Sequence, residues 1–312
     1  MERRLRTLLH VRKILIILTI ILLLISGCSL PGLSGSSKDT LKIGTLNTSE
    51  SMTVGYIIKQ LIEHKTDYHA EIIGNMGSSI VQHQALEQGE VDITGTRYTG
   101  TDLPGALQME LITDPDKALK VVQREFKERF DQTWFNPYGF ENSYAFTVTS
   151  ELAKEKSLKK VSDVEPYAAD LRLGVDNAWL NREGDGYQGF IDTYGFEFGK
   201  AYPMQIGLVY QAVDSGNMDV VLAYTTDGRI EEFNLVNLED DKDFFPPYDA
   251  SPVARNDVLE KYPEVRDILN SLAGKIDEET MRHMNYEADV KMKEPYVVAK
   301  EFLEEHHYFE DE

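Results

Sequence analysis

Cysteine is nearly absent: Cys28 is the one thiol in 312 residues. A single thiol forms no internal disulfide, and a zinc site built on four thiolates is excluded. Basic residues are also scarce, 32 Lys and Arg against 53 Asp and Glu, for a formal charge of −21. A body of that sign does not coat a phosphate backbone, which argues against a nucleic-acid partner. There is no Gly-x-Ser-x-Gly elbow and no His-Glu-x-x-His helix, the signatures a secreted hydrolase of choline esters or phospholipid headgroups would carry. His64, His69, His83 and His283 are scattered, and His306-His307 sits in an acidic tail. No catalytic residue, metal or cofactor is therefore expected. Internal repeats are missing, and so is any apolar run long enough to span a bilayer. The longest, Ile14 to Ile25, covers twelve residues, only ~18 Å of helix against a hydrocarbon core of ~30 Å.

What is present begins with that run. Arg3, Arg4, Arg6, Arg12 and Lys13 precede it, and Ile25-Ser26-Gly27-Cys28 closes it. A basic start, a short apolar stretch and small residues before a cysteine resemble a bacterial lipobox, with residues 1–27 as a removable signal peptide. Cys28 would then be the lipid-attachment residue and the first of the mature chain. An uncleaved signal anchor, or an ordinary signal with an incidental cysteine, is the plainer alternative. Without the first 27 residues the count is 27 basic against 52 acidic, a charge of −25. Acidic surface is a common solubility device and names no partner by itself. Residues 28–40, rich in Ser, Gly and Pro, have little to bury and read as a flexible tether.

The remaining chain alternates strand and helix signals. Leu41 to Thr45 alternates like a strand, and Thr48 to Ser51 supply capping hydroxyls before a helix bearing Val54, Ile57, Ile58, Leu61 and Ile62. Strands are expected at His69 to Gly74 and Val91 to Gly95, with a helix after Gly77-Ser78-Ser79 and another opened by Asp114-Pro115. A second series has strands at Tyr144 to Val148, Leu171 to Val175 and Asp219 to Tyr224, with a helix near Leu208 to Val213. This pace argues for parallel sheets faced by helices. Phe244-Phe245-Pro246-Pro247-Tyr248 is a breaker, and beyond it the chain reads as mainly helical, near 256–274, 277–292 and 295–305. The lobes could be sequential, or the tail could return to the first lobe through two crossovers. The breaker favours the return, and a ligand would then sit between lobes, at strand carboxyl ends and helix N-termini.

An anchored, two-lobed protein outside the cytoplasm has the physical profile of a solute-binding importer component. Longer runs carry a closer resemblance: Arg97-Tyr98-Thr99-Gly100-Thr101-Asp102-Leu103, Asn142-Ser143-Tyr144-Ala145-Phe146, Asp176-Asn177-Ala178-Trp179-Leu180, Gly184-Asp185-Gly186-Tyr187, Tyr194-Gly195-Phe196 and Ala223-Tyr224-Thr225-Thr226-Asp227-Gly228-Arg229. With the Phe-Phe-Pro-Pro-Tyr run and the His306-His307-Tyr308-Phe309 terminus, the chain resembles the glycine betaine/carnitine/choline-binding lipoproteins of osmoprotectant ABC transporters, of the OpuC type and ProX-like. The resemblance implies an α/β, two-lobed type II periplasmic-binding-protein fold with two crossover strands and an interlobe cleft. Lobe 1 is expected at 41–143 and 247–312, lobe 2 at 144–246. It implies a quaternary-ammonium ligand, ABC permease and ATPase subunits as partners, no enzymatic activity, and a lipid anchor on the extracytoplasmic face of the cell membrane.

Such a ligand wraps its charge in methyl groups, so it has no N–H to donate. Aromatic faces attract the cation and bury the methyls. Tyr98 and Tyr224 end two strand patterns, while Tyr144 and Tyr248 lie beside the two crossovers. Read alone, any of the 16 tyrosines is a half-buried packing ring; the resemblance maps the family's four cage tyrosines onto these four positions. Tyr56, Tyr138, Tyr187, Tyr194, Tyr202 and Tyr210 are expected to be packing rings. Thr101 and Arg182 match polar ligand contacts in related proteins, and backbone amides near Gly77-Ser78-Ser79 are a candidate anion nest. A neutral Thr101, where some relatives have Asp, predicts tolerance of ligands with and without a carboxylate. Where many relatives carry Gln near the end of the first strand, this chain has Leu46-Asn47. A ligand sensor or adhesin lipoprotein on the same lobes is the remaining non-enzyme alternative.

Overall fold

The computed structural model describes residues 40–182 and 186–310. The signal segment 1–27, Cys28, the tether up to residue 39 and the Gly184-Asp185 pair lie outside the described residues. Among those described, no helix is long and apolar enough to cross a membrane.

Among the described residues, ten strands form two five-stranded sheets. The first holds β1 (Thr40–Leu46), β2 (His69–Met76), β3 (Ile93–Tyr98), β4 (Gln132–Trp134) and β10 (Ala250–Arg255), in the order β2-β1-β3-β10-β4. The second holds β5 (Tyr144–Thr149), β6 (Arg172–Asp176), β7 (Lys200–Met204), β8 (Val220–Tyr224) and β9 (Leu235–Asn237), in the order β7-β6-β8-β5-β9. β1 runs parallel to β3, and β6 runs parallel to both β7 and β8. β10 and β5 are antiparallel to the strands on either side of them. Every position of β3 is buried, as expected of a strand covered by helices on both faces.

The chain leaves the first sheet after β4, builds the second, and returns with β10. The two crossing segments lie side by side. Glu141 pairs with Asp249 in an isolated antiparallel bridge, the Asn142 N–H donates to the Tyr248 carbonyl at 3.2 Å, and the Ala250 N–H to that of Phe140 at 3.1 Å. The helices Pro263–Ser271, Glu278–Asn285 and Pro295–Glu305 then pack on the Ser49–Lys65 helix. Val265, Ile268, Leu269, Val298 and Phe302 share one core with Val54, Ile57, Ile58 and Leu61. A separate core under the second sheet gathers Phe146, Leu173, Val175, Trp179, Phe190, Val220 and Leu222, and takes Phe244 and Phe245 from the breaker.

The tail beyond the breaker is mainly helical, and it also contributes one strand, since β10 lies between β3 and β4. Pro252 hid it, since a proline donates nothing to a ladder. The pairing shifts register between Ser251 and Val253, and the Pro252 carbonyl still accepts from the Phe135 N–H at 3.1 Å. The patterns at 256–274 and 277–292 also divide. Pro263 ends one helix and opens the next, and the helix Glu278–Asn285 continues as a wider π turn over Tyr286–Val290.

Candidate functional site

Tyr98 is the last residue of β3 and Tyr224 the last of β8, so each sits at a strand's carboxyl end. The antiparallel neighbours complete the group. Tyr144 opens β5 directly opposite Tyr224, and Ala250 of β10 lies opposite Tyr98, which sets Tyr248 two residues from that pairing. All four rings line one cavity of about 460 Å³, together with Thr101 and Arg182. Six residues scattered over 151 positions of sequence meet at one place.

The rings are held individually. Tyr144 and Tyr224 stack with centroids 5.0 Å apart and planes at 28°. The Arg182 guanidinium lies 5.4 Å from the Tyr144 centroid and donates to its hydroxyl at 3.3 Å, while that hydroxyl donates to Asp176 Oδ2 at 3.3 Å. Tyr248 lies against Gly100, where an added Cβ would come within 2.9 Å of the ring and 2.8 Å of the Pro247 carbonyl. Only glycine allows that approach. Thr101 sits in the short helix Thr99–Asp102, which Arg97 anchors from below: its Nε donates to Asp102 Oδ2 at 2.9 Å, both side chains being fully buried. Burial raises the Asp102 pKa, while the charge of Arg97 pulls it back.

Glu50 was not foreseen. It lies in the first turn of the Ser49–Lys65 helix, lines the cavity, and is buried. Its Oε1 accepts from the Tyr98 hydroxyl at 2.5 Å and Asn142 Nδ2 at 3.0 Å. Its Oε2 accepts from Thr226 Oγ1 at 2.6 Å and Asn285 Nδ2 at 3.1 Å. Burial first, and then the charge of Glu50, raise the Tyr98 pKa well above its ordinary value. Burial and the neighbouring Tyr224 likewise raise that of Tyr144. Both phenols are therefore neutral donors at physiological pH.

Asp227 and Asp289 also line the cavity. Arg229 grips Asp227 through Nε at 2.8 Å and Nη2 at 2.6 Å, and Asp289 accepts from the Ser49 hydroxyl. With Asp227 neutralised by Arg229, Glu50 and Asp289 stand against Arg182, and the described wall is acidic by one charge. Such a wall favours a positively charged guest.

Leu46, standing where many relatives have Gln, contributes an apolar side chain to the wall. Gly77-Ser78-Ser79 does not reach the cavity; Ser78 caps its own helix by accepting the Val81 N–H at 3.3 Å. That candidate anion nest is withdrawn. Tyr138 donates to the Gly95 carbonyl at 2.5 Å and Tyr194 to Asp240, away from the cavity. Tyr210 does more than pack: its hydroxyl accepts the Tyr224 N–H at 3.0 Å and so fixes the end of β8.

Residues 39–305 match the family described as the substrate binding domain of ABC-type glycine betaine transport systems. The chain belongs to that family. It is 56% identical over 288 residues to the carnitine transport binding protein OpuCC of Listeria monocytogenes, covering 92% of this chain and 94% of that one. It is 32% identical over 283 residues to the ergothioneine transport permease/ergothioneine binding protein EgtU of Helicobacter pylori, covering 91% of this chain and 50% of that protein. Its fold superposes on a crystal structure of a glycine betaine/carnitine/choline ABC transporter protein with a TM-score of 0.85 at 52% identity, covering 86% of this chain and 100% of the other. These relatives are transport proteins that bind substrates rather than enzymes. The chain is accordingly the extracytoplasmic substrate-binding protein of an ABC importer for osmoprotectants.

Proposed function

We propose that this binding protein captures quaternary-ammonium osmoprotectants, among them glycine betaine, carnitine and choline, in a cage of Tyr98, Tyr144, Tyr224 and Tyr248, and hands them to a permease. The observation that carries the reading is the convergence of these four rings, from both sheets, on one acidic cavity of about 460 Å³. That volume falls in the range of small-ligand sites. Thr101 and Arg182 take the carboxylate of betaine or carnitine; choline needs neither. The names of the Listeria and Helicobacter relatives support this class, since carnitine and ergothioneine both carry a trimethylammonium group and a carboxylate.

The lobes divide at 143/144 and 246/247, and the ligand closes them. Cys28 carries the lipid that keeps the protein at the extracytoplasmic face of the membrane, beside the permease and ATPase subunits. Supporting the anchor is the order of basic segment, short apolar run and Ser26-Gly27-Cys28.

Magnitudes make the cage necessary but not sufficient. A desolvated cation–π contact contributes about 2 kcal/mol, so four reach about 8 if they add. Micromolar affinity requires about 8.2 kcal/mol net of association costs that run to several more. Methyl burial and contacts to the rest of the ligand supply the difference. Calorimetric titration with betaine, carnitine, choline and an uncharged isostere tests the reading: heat and thermal stabilisation are expected with the quaternary amines, and neither with the isostere. Silence toward every quaternary amine sinks it. Uptake of labelled betaine with and without the protein separates importer from sensor.

A further inference from the structure

Four donors converge on the Glu50 carboxylate, and they come from four parts of the chain. Tyr98 ends β3, Asn142 lies in the first crossing segment, Thr226 follows β8, and Asn285 ends a C-terminal helix. The residue is only 4% exposed, yet it forms part of the cavity wall. Four incoming N–H and O–H groups suit an acceptor-only carboxylate. No cationic side chain among the described residues neutralises it. Arg97 pairs with Asp102, Arg229 with Asp227, and Arg282 with Glu278, while Arg182 rests over Tyr144. Neutral dipoles stabilise a buried anion without cancelling its field, and salt screens that field little at such depth.

We propose that Glu50 is the buried counter-ion of the site and a specificity determinant, favouring ligands of net positive charge over zwitterions. The inference rests on the quaternary-ammonium reading above. The cage rings are neutral and treat a trimethylammonium group alike whatever follows it. A buried monopole does not: it attracts the cationic end of betaine but repels the carboxylate of the same molecule. For choline only the attraction acts. Four neutral rings give choline and betaine similar cage energies, and Thr101 and Arg182 act on the carboxylate in every variant, so the change in the choline-to-betaine ratio when the Glu50 charge is removed reports that charge.

The test is calorimetric titration of the full-length protein with choline and with glycine betaine, in wild type, Glu50→Gln and Thr226→Val. Glutamine keeps the size of the side chain and loses the charge. Choline affinity is expected to fall tenfold or more, about 1.4 kcal/mol, and betaine affinity less than about threefold, so the choline-to-betaine ratio drops. Thr226→Val removes the donor at 2.6 Å, leaves the carboxylate less compensated, and moves the ratio the other way, toward choline. A ratio is insensitive to the fraction of folded protein, and the valine variant stands in should the glutamine variant not fold. Equal losses for both ligands in Glu50→Gln, or a shift toward betaine in Thr226→Val, overturn the proposal while the cage stands. A wild-type protein that binds neither ligand overturns both readings together.

Discussion

Single side chains divide the labour in the cavity. Tyr144 packs against Tyr224 and Arg182, whereas Tyr98 is aimed by Glu50 and Tyr248 rests on Gly100. Replacing any of the four by alanine removes a cation–π face and should weaken quaternary-amine binding by about 1–2 kcal/mol or more. Tyr194→Ala should leave affinity unchanged in the same titration, because that ring packs on Phe190 and Phe244 away from the cavity. Thr101→Asp places a carboxylate on the wall, so carnitine and betaine should lose more affinity than choline; equal losses would refute the role of Thr101. The four tyrosines and Thr101 were legible as cavity residues because they lie in the family runs, the tyrosines also at strand ends or crossovers. Arg182 lies outside those runs and rested on a looser match. Glu50 was not legible, since Thr48 to Ser51 with an acid among them reads as an ordinary helix start, where acids are favoured anyway. Its value comes from donors 48 to 235 positions away, a relation no local pattern contains.

At the level of elements, the decisive unit is β3 with the short helix after it. Tyr98 and Thr101 keep their places because Arg97 and Asp102 join beneath them, and because Thr99 Oγ1 donates to the Pro247 carbonyl at 2.9 Å across to the returning chain. Breaking a buried pair strands a charge, which costs about 3–5 kcal/mol. Asp102→Ala should therefore lower stability by that order in urea unfolding, whereas a loss under 1 kcal/mol would mean the pair does not anchor the helix. Helices with clean caps, such as Pro115–Phe130 behind Asp114, were readable from their ends inward. The short strands were harder. β4 and β9 have three residues each, too few for a period, and β10 carries a proline. Their pairing is imposed by neighbours in space, with β10 held between β3 and β4.

For the whole molecule, the two crossing segments are where any movement between the sheets must be absorbed, and one carboxyl there is under tension. Burial first, and then the charges of Asp249, Glu278 and Asp240, push the Glu141 pKa up from 4.5 to about 7. The Tyr248 N–H, donating to its Oε2 at 3.4 Å, only partly offsets this. Between pH 4.5 and 7 the folded chain retains a proton that the unfolded chain has released. Stability contributed at this position therefore falls as pH rises through that window and levels off above it, by on the order of 3 kcal/mol in full. Glu141→Gln keeps an acceptor for the Tyr248 N–H and cannot ionise. It should raise the urea midpoint at pH 8 and change it little at pH 4.5, where the wild-type group is already protonated in the fold. The breaker at 244–248 announced that the chain turns back, but the contact between the crossings, and with it this strained carboxyl, exists only once both sheets are built. A gain of equal size at both pH values would place the effect in packing and remove Glu141 as the source of the pH dependence.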